Sequence, residues 1–144
     1  MVGDASVATI LCIDDNRNIL AIHRALLESK GYRVVTALDG PTGIVLSREQ
    51  SIDVVVLDFN MPGMNGNEVA QVLTQEQPTL PVVIWSGYPE EIPESLRWFA
   101  CAVLHKSDGF EALLSVVESL VTAGTTSKRT SARRAIGISP RLSA

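Results

Sequence analysis

Five short, mostly apolar runs recur along the chain, and longer stretches of mixed polarity separate them. Short runs of this kind, rich in Val, Ile and Leu, are typical of strands that are buried on both faces. The predicted strands are residues 7–13, 32–37, 53–58, 80–85 and 100–104. We therefore expect a single sheet of five strands.

The stretches between these runs have the spacing of helices. From Ile19 to Leu27 apolar residues recur on one helical face, and Gly31 is a suitable residue to follow the end of that helix. The other predicted helices run from about Pro41 to Gln50, from Gly66 to Gln75 and from Gly109 to Leu120. Strands that alternate with helices imply a parallel sheet covered on both sides, which is an α/β, doubly wound fold.

Length and composition favour one domain with one buried core, since the chain has 144 residues and is 46% hydrophobic. The first residues carry an acid where a secretory signal carries positive charge, and no apolar run approaches the roughly 18 residues that cross a bilayer. We expect a soluble, cytoplasmic protein. Cys12 and Cys101 lie inside apolar runs without CxxC spacing, which predicts buried free thiols.

Charge divides the chain into an acidic body and a basic end. All 16 acidic residues lie at or before Glu118, whereas five of the 12 basic residues follow Gly124. An acidic body argues against a nucleic-acid interface on the folded part. We also expect no membrane partner. Residues 123–144 lack sustained apolar periodicity and are interpreted as a disordered tail or linker, after a lead at 1–6 and a domain at 7–122.

Polar residues follow four of the five predicted strands directly. Ligands of doubly wound sheets bind at the carboxyl ends of the strands, so these residues are the candidates for function. Asp14 and Asp15 follow the first strand, and Asp58 ends the third. Three acids at one crevice would repel one another, which predicts a bound cation. An all-oxygen set selects Mg²⁺, and the main-chain carbonyl of Asn60 could add a ligand.

The remaining strand ends supply groups that suit a phosphoryl group. A carboxylate oxygen of Asp58 could attack phosphorus and form an acyl phosphate. Ser86 after the fourth strand offers a hydroxyl donor, and Lys106 after the fifth offers an ammonium for the developing charge. Taken singly, Asp14 or Asp15 could equally be a helix N-cap, Ser86 a turn residue and Lys106 a solvated charge. The joint pattern favours the phosphoacceptor interpretation.

The residues also resemble a known family, the receiver domains of two-component signalling, over about residues 7–122. The stretch LCIDDNRNILAIHRALLESKGYRV is similar to the family's acidic-pair segment, and VVVLDFNMPGMNG is similar to its phosphoacceptor segment. VVIWSG is similar to its switch segment, and VLHK to its lysine segment. The resemblance implies a flavodoxin-like sheet of order 2-1-3-4-5. It also implies a response regulator in a phosphorelay, which catalyses its own phosphotransfer and is not a turnover enzyme.

The same resemblance assigns partners and roles. A sensor histidine kinase or a histidine phosphotransfer protein would donate the phosphoryl group to Asp58. Mg²⁺ or Mn²⁺ would be bound by Asp15, Asp58 and the carbonyl of Asn60, with Asp14 acting partly through water. Ser86 and Lys106 would hold the phosphoryl group. Phosphorylation would remodel the face formed by the fourth helix, fifth strand and fifth helix, which a downstream protein would recognise. A homodimer is also possible.

Three positions depart from the family. Val103 replaces the aromatic residue that usually moves with the switch hydroxyl, and Ser107 replaces the proline that usually follows the lysine. Pro89 and Pro93 predict a fourth helix that begins near Pro93 and has only a turn or two. These departures leave the acceptor residues intact and alter the surface that usually reports phosphorylation.

Other interpretations stay open at this point. The chain could be an interaction module that keeps the fold but does not switch, or a receiver fragment of a longer regulator or hybrid kinase. A haloacid dehalogenase-type hydrolase also uses an Asp nucleophile, but its DxDxT motif is absent. Trp98 and Phe99 are interpreted as core or partner contacts, and His23 and His105 as packing or surface residues.

Overall fold

The computed structural model describes residues 7–100 and 102–130, and the side chains of these residues except 98, 99 and 125–130. The predicted lead at 1–6, the environment of Cys101 and the roles of the Trp98 and Phe99 side chains lie outside the described residues. Within the described residues, no helix is both long enough and apolar enough to span a membrane.

Five parallel strands form one sheet in the order β2-β1-β3-β4-β5, which confirms the predicted fold class and strand order. The strands are β1 (Thr9–Ile13), β2 (Arg33–Ala37), β3 (Val54–Asp58), β4 (Val82–Ser86) and β5 (Ala102–His105). Every residue of β1, β3 and β4 is buried, as expected for strands covered on both faces. Strand order reverses between β1 and β3, where ligands of such sheets usually bind.

Helices follow the strands, and those after β1, β2 and β3 have bounds close to those predicted. They are α1 (Arg17–Ser29), α2 (Gly40–Glu49), α3 (Gly66–Glu76), α4 (Glu94–Phe99) and α5 (Gly109–Thr130), with 3₁₀ turns at Pro89–Glu91 and Lys106–Asp108. The six-residue α4 confirms the short fourth helix. Helix α1 ends before Gly31, whose positive φ of 93° is conformationally accessible to glycine.

Alternate strand residues build a hydrophobic core on each side of the sheet. On one side, Leu11, Val55 and Ile84 pack with residues of α2, α3 and α4. On the other side, Cys12 and Val83 pack with residues of α1 and α5. Complete burial raises the pKa of the Cys12 thiol to about 12, so this cysteine is a packing residue, as predicted.

The last helix is longer than the sequence pattern indicated. Helix α5 continues to Thr130, so the expected end at Leu120 was wrong and the domain boundary expected after residue 122 falls inside the helix. The Ser/Thr-rich sequence after Val121 has no proline within the helix, and a single glycine costs a helix only about 1 kcal/mol relative to alanine. Residues 131–144 of the predicted tail lie outside the described residues.

Gly66 brings α3 against the backbone that follows the acidic end of β3. A Cβ at this position would lie 2.6 Å from the Phe59 Cα and 2.9 Å from the Phe59 carbonyl oxygen. The amide of Gly66 also donates to that oxygen at 2.9 Å. Because the obstruction is main chain, a side chain here would have to displace the segment next to Asp58.

We expect Gly66→Ala to lower the free energy of unfolding by about 1–3 kcal/mol, the usual cost of overpacking. Gly124→Ala is the matched control, because its new methyl meets no atom within 4 Å and alanine favours a helix interior. That control should gain about 0.5–1 kcal/mol. Urea denaturation measures both values. A Gly66→Ala protein as stable as the wild type would contradict the close approach of α3 to Phe59.

Candidate functional site

Four predicted site residues lie side by side at the carboxyl edge of the sheet. Asp58 ends β3 and Ser86 ends β4, while Asp14 and Lys106 come directly after β1 and β5. The register pairs Ile13 with Leu57, and His105 with Ser86, so the polar residues that follow are brought to one edge. The predicted convergence of these side chains is therefore present in the structure.

The three acids form a cluster. One carboxylate oxygen of each of Asp14, Asp15 and Asp58 lies within 4.8 Å of the other two. Asp14 and Asp58 are buried, with exposures of 3% and 2%, whereas Asp15 is exposed. Carboxylates this close repel one another unless a proton or a cation offsets their charge.

Burial dominates the protonation equilibria of the two buried acids, and the repulsion between carboxylates adds to it. Burial, with the charges of Asp58 and Asp15 adding to it, raises the pKa of Asp14 to about 6, although the Asn16 amide opposes the rise. Burial also raises the pKa of Asp58, while its hydrogen bond and charge interaction with Lys106 act in the opposite direction. Both buried carboxylates are therefore less stable as anions here than in water.

One oxygen of Asp14 favours a cation at this cluster. Its Oδ1 accepts a hydrogen bond from the Asn16 amide at 2.9 Å, but its Oδ2 is buried without a hydrogen-bond partner. A buried unpaired carboxylate oxygen costs free energy that a cation would offset. The ligand set contains oxygen and no nitrogen or sulfur, so it fits a hard cation such as Mg²⁺.

The N-cap of the first helix decides whether Asp14 or Asp15 caps that helix, which the sequence left open. Asn16 caps α1, because its side-chain oxygen accepts from the amides of Asn18 at 2.9 Å and Ile19 at 3.2 Å. Neither Asp14 nor Asp15 therefore serves as the helix cap, an interpretation that the sequence alone left open. Both carboxylates remain in the cluster at the strand end.

Lys106 reaches across the edge of the sheet to the acceptor candidate. Its Nζ lies 3.0 Å from Oδ1 of Asp58, and its side chain is 38% exposed whereas that of Asp58 is 2% exposed. The amide of Asn60 also donates to the same Asp58 oxygen at 3.4 Å. Lys106 is thus an ion-pair partner of Asp58 and not a freely solvated charge.

Ser86 is fully buried and is bonded within its own neighbourhood. Its hydroxyl donates to the side-chain oxygen of Asn60 at 3.4 Å and accepts from the Tyr88 amide at 3.0 Å. The second bond is the local turn contact that a serine before Gly-Tyr-Pro often makes. The structure therefore brings Ser86 next to Asn60, and its predicted contact with a phosphoryl group remains a prediction, as does the Asn60 carbonyl ligand.

The turn that carries Lys106 holds residues whose contacts the sequence analysis missed. The Ser107 amide donates to Nδ1 of His105 at 2.9 Å, and the Ser107 hydroxyl lies 2.6 Å from the same nitrogen. The His105 amide donates to Oδ2 of Asp108 at 3.1 Å. The spacing of His105 and Asp108 matches a capping box, which was the available signal.

An aromatic group, buried at His23 and Trp85, packs on the side of the sheet that is covered by α1 and α5. The His23 ring meets Trp85 edge-on at 5.5 Å and Phe110 at 5.1 Å, and Trp85 stacks on Phe110 at 5.8 Å. The packing role predicted for His23 is thus confirmed. Burial, with a smaller contribution from Lys106, lowers the pKa of His23 to about 4, and neither ring nitrogen has a hydrogen-bond partner.

Comparison with known proteins agrees with this geometry. A family model described as the response regulator receiver domain matches residues 10–118. Protein PilH of Pseudomonas aeruginosa is 38% identical over 119 residues, which are 80% of this chain and 98% of PilH. The putative two-component response regulator ARR13 of Arabidopsis thaliana is 34% identical over 102 residues, and the chain spans only 18% of its length.

Solved structures give the same assignment. The response regulator TrrA of Thermotoga maritima, crystallised with Mg²⁺-BeF, superposes with a TM-score of 0.74 at 28% identity, covering 79% of this chain and 99% of TrrA. TrrA in complex with the histidine kinase ThkA gives a TM-score of 0.73 at 28% identity, covering 79% of this chain and 98% of that chain. The chain therefore belongs to the family of response regulator receiver domains, with an acidic pocket formed by Asp14, Asp15 and Asp58.

Proposed function

We propose that this receiver domain accepts a phosphoryl group on Asp58, from a sensor histidine kinase or a histidine phosphotransfer protein, in a reaction that requires Mg²⁺ or Mn²⁺. The observation that carries the proposal is the environment of Asp58. This buried carboxylate shares a cluster with two other acids and is paired with Lys106 at 3.0 Å. Such a site gathers the metal ligands, the nucleophile and a counter-charge for phosphate at one point.

The cation would be held by Asp14, Asp15, Asp58 and the main-chain carbonyl of Asn60. When bound, it would offset the charge of the three carboxylates and of the incoming phosphoryl oxygens. The unpaired Oδ2 of Asp14 and the oxygen-only ligand set support this assignment. TrrA, which resembles this chain, was crystallised with Mg²⁺-BeF.

The chain's own residues would carry the transfer. A carboxylate oxygen of Asp58 forms a bond to phosphorus as the bond from phosphorus to the donor's histidine nitrogen breaks. That nitrogen keeps the electron pair and takes a proton from solvent, which leaves an acyl phosphate and a neutral imidazole. Lys106 exchanges its contact with Asp58 for one with a phosphoryl oxygen. Ser86 exchanges its hydrogen bond to Asn60 for a bond to another phosphoryl oxygen.

Phosphorylation by a small donor tests this proposal. Incubation with acetyl phosphate and Mg²⁺ should add one phosphoryl group by intact-mass analysis, and Asp58→Asn should abolish the addition. Asp39→Asn is the matched control, because Asp39 caps α2 and asparagine caps equally well. The proposal fails if the wild-type chain stays unmodified by this donor and by its cognate kinase, or if the Asp58→Asn variant is still labelled.

A second candidate, a receiver that binds partners without switching, is favoured by one observation. Val103 occupies the position of the usual aromatic switch residue and packs against the core beside α4, which has only six residues. Amide chemical shifts with and without beryllofluoride separate the two functions. Changes that spread through residues 88–121 support a switch that signals to a downstream protein, as a monomer or a homodimer. Changes confined to the pocket support the module.

The remaining parts of the proposal follow from the acceptor role. The receiver occupies about residues 7–122, with α5 continuing beyond it, and it turns over no external substrate. We also propose that it acts in the cytoplasm. The downstream partner is proposed to be a protein, since the acidic residues of the body outnumber its basic residues, a balance that disfavours nucleic acid.

A further inference from the structure

Lys106 reaches the buried Asp58 from a short 3₁₀ turn that is fixed by its own neighbours. Three contacts close this turn: the Ser107 amide to His105 Nδ1 at 2.9 Å, the Ser107 hydroxyl to the same nitrogen at 2.6 Å, and the His105 amide to Asp108 Oδ2 at 3.1 Å. All three contacts join the residues on either side of Lys106. They therefore fix the backbone from which the lysine side chain extends.

The ends of the turn are also anchored. His105 is the last residue of β5, where it pairs with Ser86 of β4, and Gly109 leaves the turn with a φ of 87° to begin α5. A lysine side chain is long and has many rotamers, so a single contact at its tip orients it poorly. A turn held by these contacts limits where the Nζ atom can lie, because it restrains the Cα from which the side chain starts.

The hydrogen bond from the Ser107 amide makes Nδ1 of His105 an acceptor. A backbone amide can only donate, so Nδ1 of His105 must accept from Ser107 and the ring of a neutral histidine carries its proton on Nε2. The hydroxyl of Ser107 then shares the same acceptor as a second donor. At the position where the family usually has proline, this chain thus uses a serine that is bonded to the preceding histidine through both its amide and its hydroxyl.

We propose that His105 and Ser107 are positioning residues, which hold the Lys106 turn so that its ammonium meets Asp58 and the incoming phosphoryl group. The proposal rests on the proposed function of Asp58 as acceptor. His105 and Ser107 act through Lys106 and contact no reacting atom. Asp108 completes the turn from its far end.

The rate of phosphorylation by acetyl phosphate and Mg²⁺ is the first test. His105→Ala removes the acceptor and should slow the reaction about tenfold, which corresponds to about 1.4 kcal/mol of lost transition-state stabilisation. His105→Asn keeps an acceptor at a similar distance from the backbone, so its rate should stay within about twofold of the wild type. Ser107→Ala retains the amide bond and should fall between the two. Equal rates for His105→Ala and the wild type would overturn the proposal.

A double-mutant comparison separates positioning from general damage to the fold. In a Lys106→Met background, His105→Ala should have no further effect on the rate, because the group that it positions is gone. A further tenfold loss in that background would show that His105 acts independently of Lys106 and would refute the proposal. Circular dichroism and thermal unfolding of each variant confirm that the chain remains folded.

A second readout does not depend on phosphorylation. The chain has three lysines, Lys30, Lys106 and Lys128, and a hydrogen-bonded ammonium exchanges its protons slowly enough to be seen by ¹⁵N-detected or ¹H–¹⁵N NMR. In metal-free protein the Lys106 ammonium signal, assigned with Lys106→Met, should vanish in His105→Ala and persist in His105→Asn. Persistence in both variants overturns the positioning role. If the wild type takes up no phosphoryl group, the proposed function fails, while this measurement still decides whether His105 positions Lys106.

Discussion

In buffer without divalent cations, Asp14→Asn is expected to raise the free energy of unfolding by roughly 2 kcal/mol at pH 8. Asp14 is buried, its Oδ2 has no hydrogen-bond partner, and burial with nearby Asp58 and Asp15 raises its pKa to about 6, from 3.8 in the unfolded chain. A pKa difference of this size lowers the free energy of unfolding of the wild type by about 3 kcal/mol at pH 8. The substitution removes this cost, but the buried amide of asparagine offsets about 1 kcal/mol of the gain, because its N–H groups lack a hydrogen-bond partner.

The sign of the pH dependence follows from the raised pKa. A folded state that holds its proton more tightly than the unfolded chain becomes less stable as pH rises from about 4 to about 6. The difference in free energy of unfolding between Asp14→Asn and the wild type should therefore reach about 2 kcal/mol at pH 8 and be nearly absent at pH 4. Urea denaturation in EDTA at both pH values measures it. A gap that does not change with pH would contradict the raised pKa of Asp14 as its cause.

Two further measurements sharpen the same result. Asp15→Asn is the matched control, because this carboxylate belongs to the cluster but is exposed, so its replacement should have a smaller effect. Addition of Mg²⁺ should then stabilise the wild type more than Asp14→Asn, since a ligand that binds only the folded state adds stability according to its affinity. An equal response of both proteins to Mg²⁺ would argue against Asp14 as a metal ligand.

Accepting phosphate and reporting it place different demands on this fold. The proposed acceptor needs the acids and the lysine at the strand ends. The carboxylate oxygens of the three acids lie within 4.8 Å of one another, and the Lys106 Nζ lies 3.0 Å from Oδ1 of Asp58. In the family, reporting usually depends on an aromatic residue of β5 and a full fourth helix, and here Val103 and the six-residue α4 occupy these places. Under the proposed function, the acceptor site keeps its residues, whereas Val103 and the short α4 alter the face that would report phosphorylation.

The convergence of the site could be predicted from the sequence because it depends on long-range order that the strands themselves dictate. Apolar runs buried on both faces require a parallel sheet, and a parallel sheet places all the residues that follow its strands at one edge. This rule alone predicts that four of the site residues lie together, namely Asp14, Asp58, Ser86 and Lys106. The short α4 was equally predictable, because prolines before it restrict where a helix can begin.

Features set by competing local contacts were not predictable in the same way. Asn16, Asp14 and Asp15 are all good N-cap residues, and only the backbone geometry decides that Asn16 caps α1. The end of α5 depends on weak helix propensities beyond Val121, where no strong stop signal is present. The turn around Lys106 depends on a histidine acting as a hydrogen-bond acceptor, a role that residue type alone does not specify.

The second large effect concerns His23, which lies between Trp85 and Phe110 and is 1% exposed. Burial lowers its pKa to about 4 from 6.5 in the unfolded chain. As pH falls below about 6.5, the unfolded state binds a proton that the folded state resists until about pH 4. The wild type should therefore lose about 2 kcal/mol of stability from this residue between about pH 7 and pH 5.

A variant without a titratable group at this position isolates the effect. His23→Leu keeps the apolar volume, and His23→Phe also keeps the ring contacts with Trp85 and Phe110. The raised pKa values of Asp14 and Asp58 change stability in the opposite direction over the same pH range, but they are common to all three proteins and cancel in the difference. Urea denaturation in EDTA should show both variants gaining about 2 kcal/mol on the wild type between about pH 7 and pH 5. A difference that stays constant with pH would mean that His23 takes up its proton as easily when folded as when unfolded, and that the buried aromatic group is open to water.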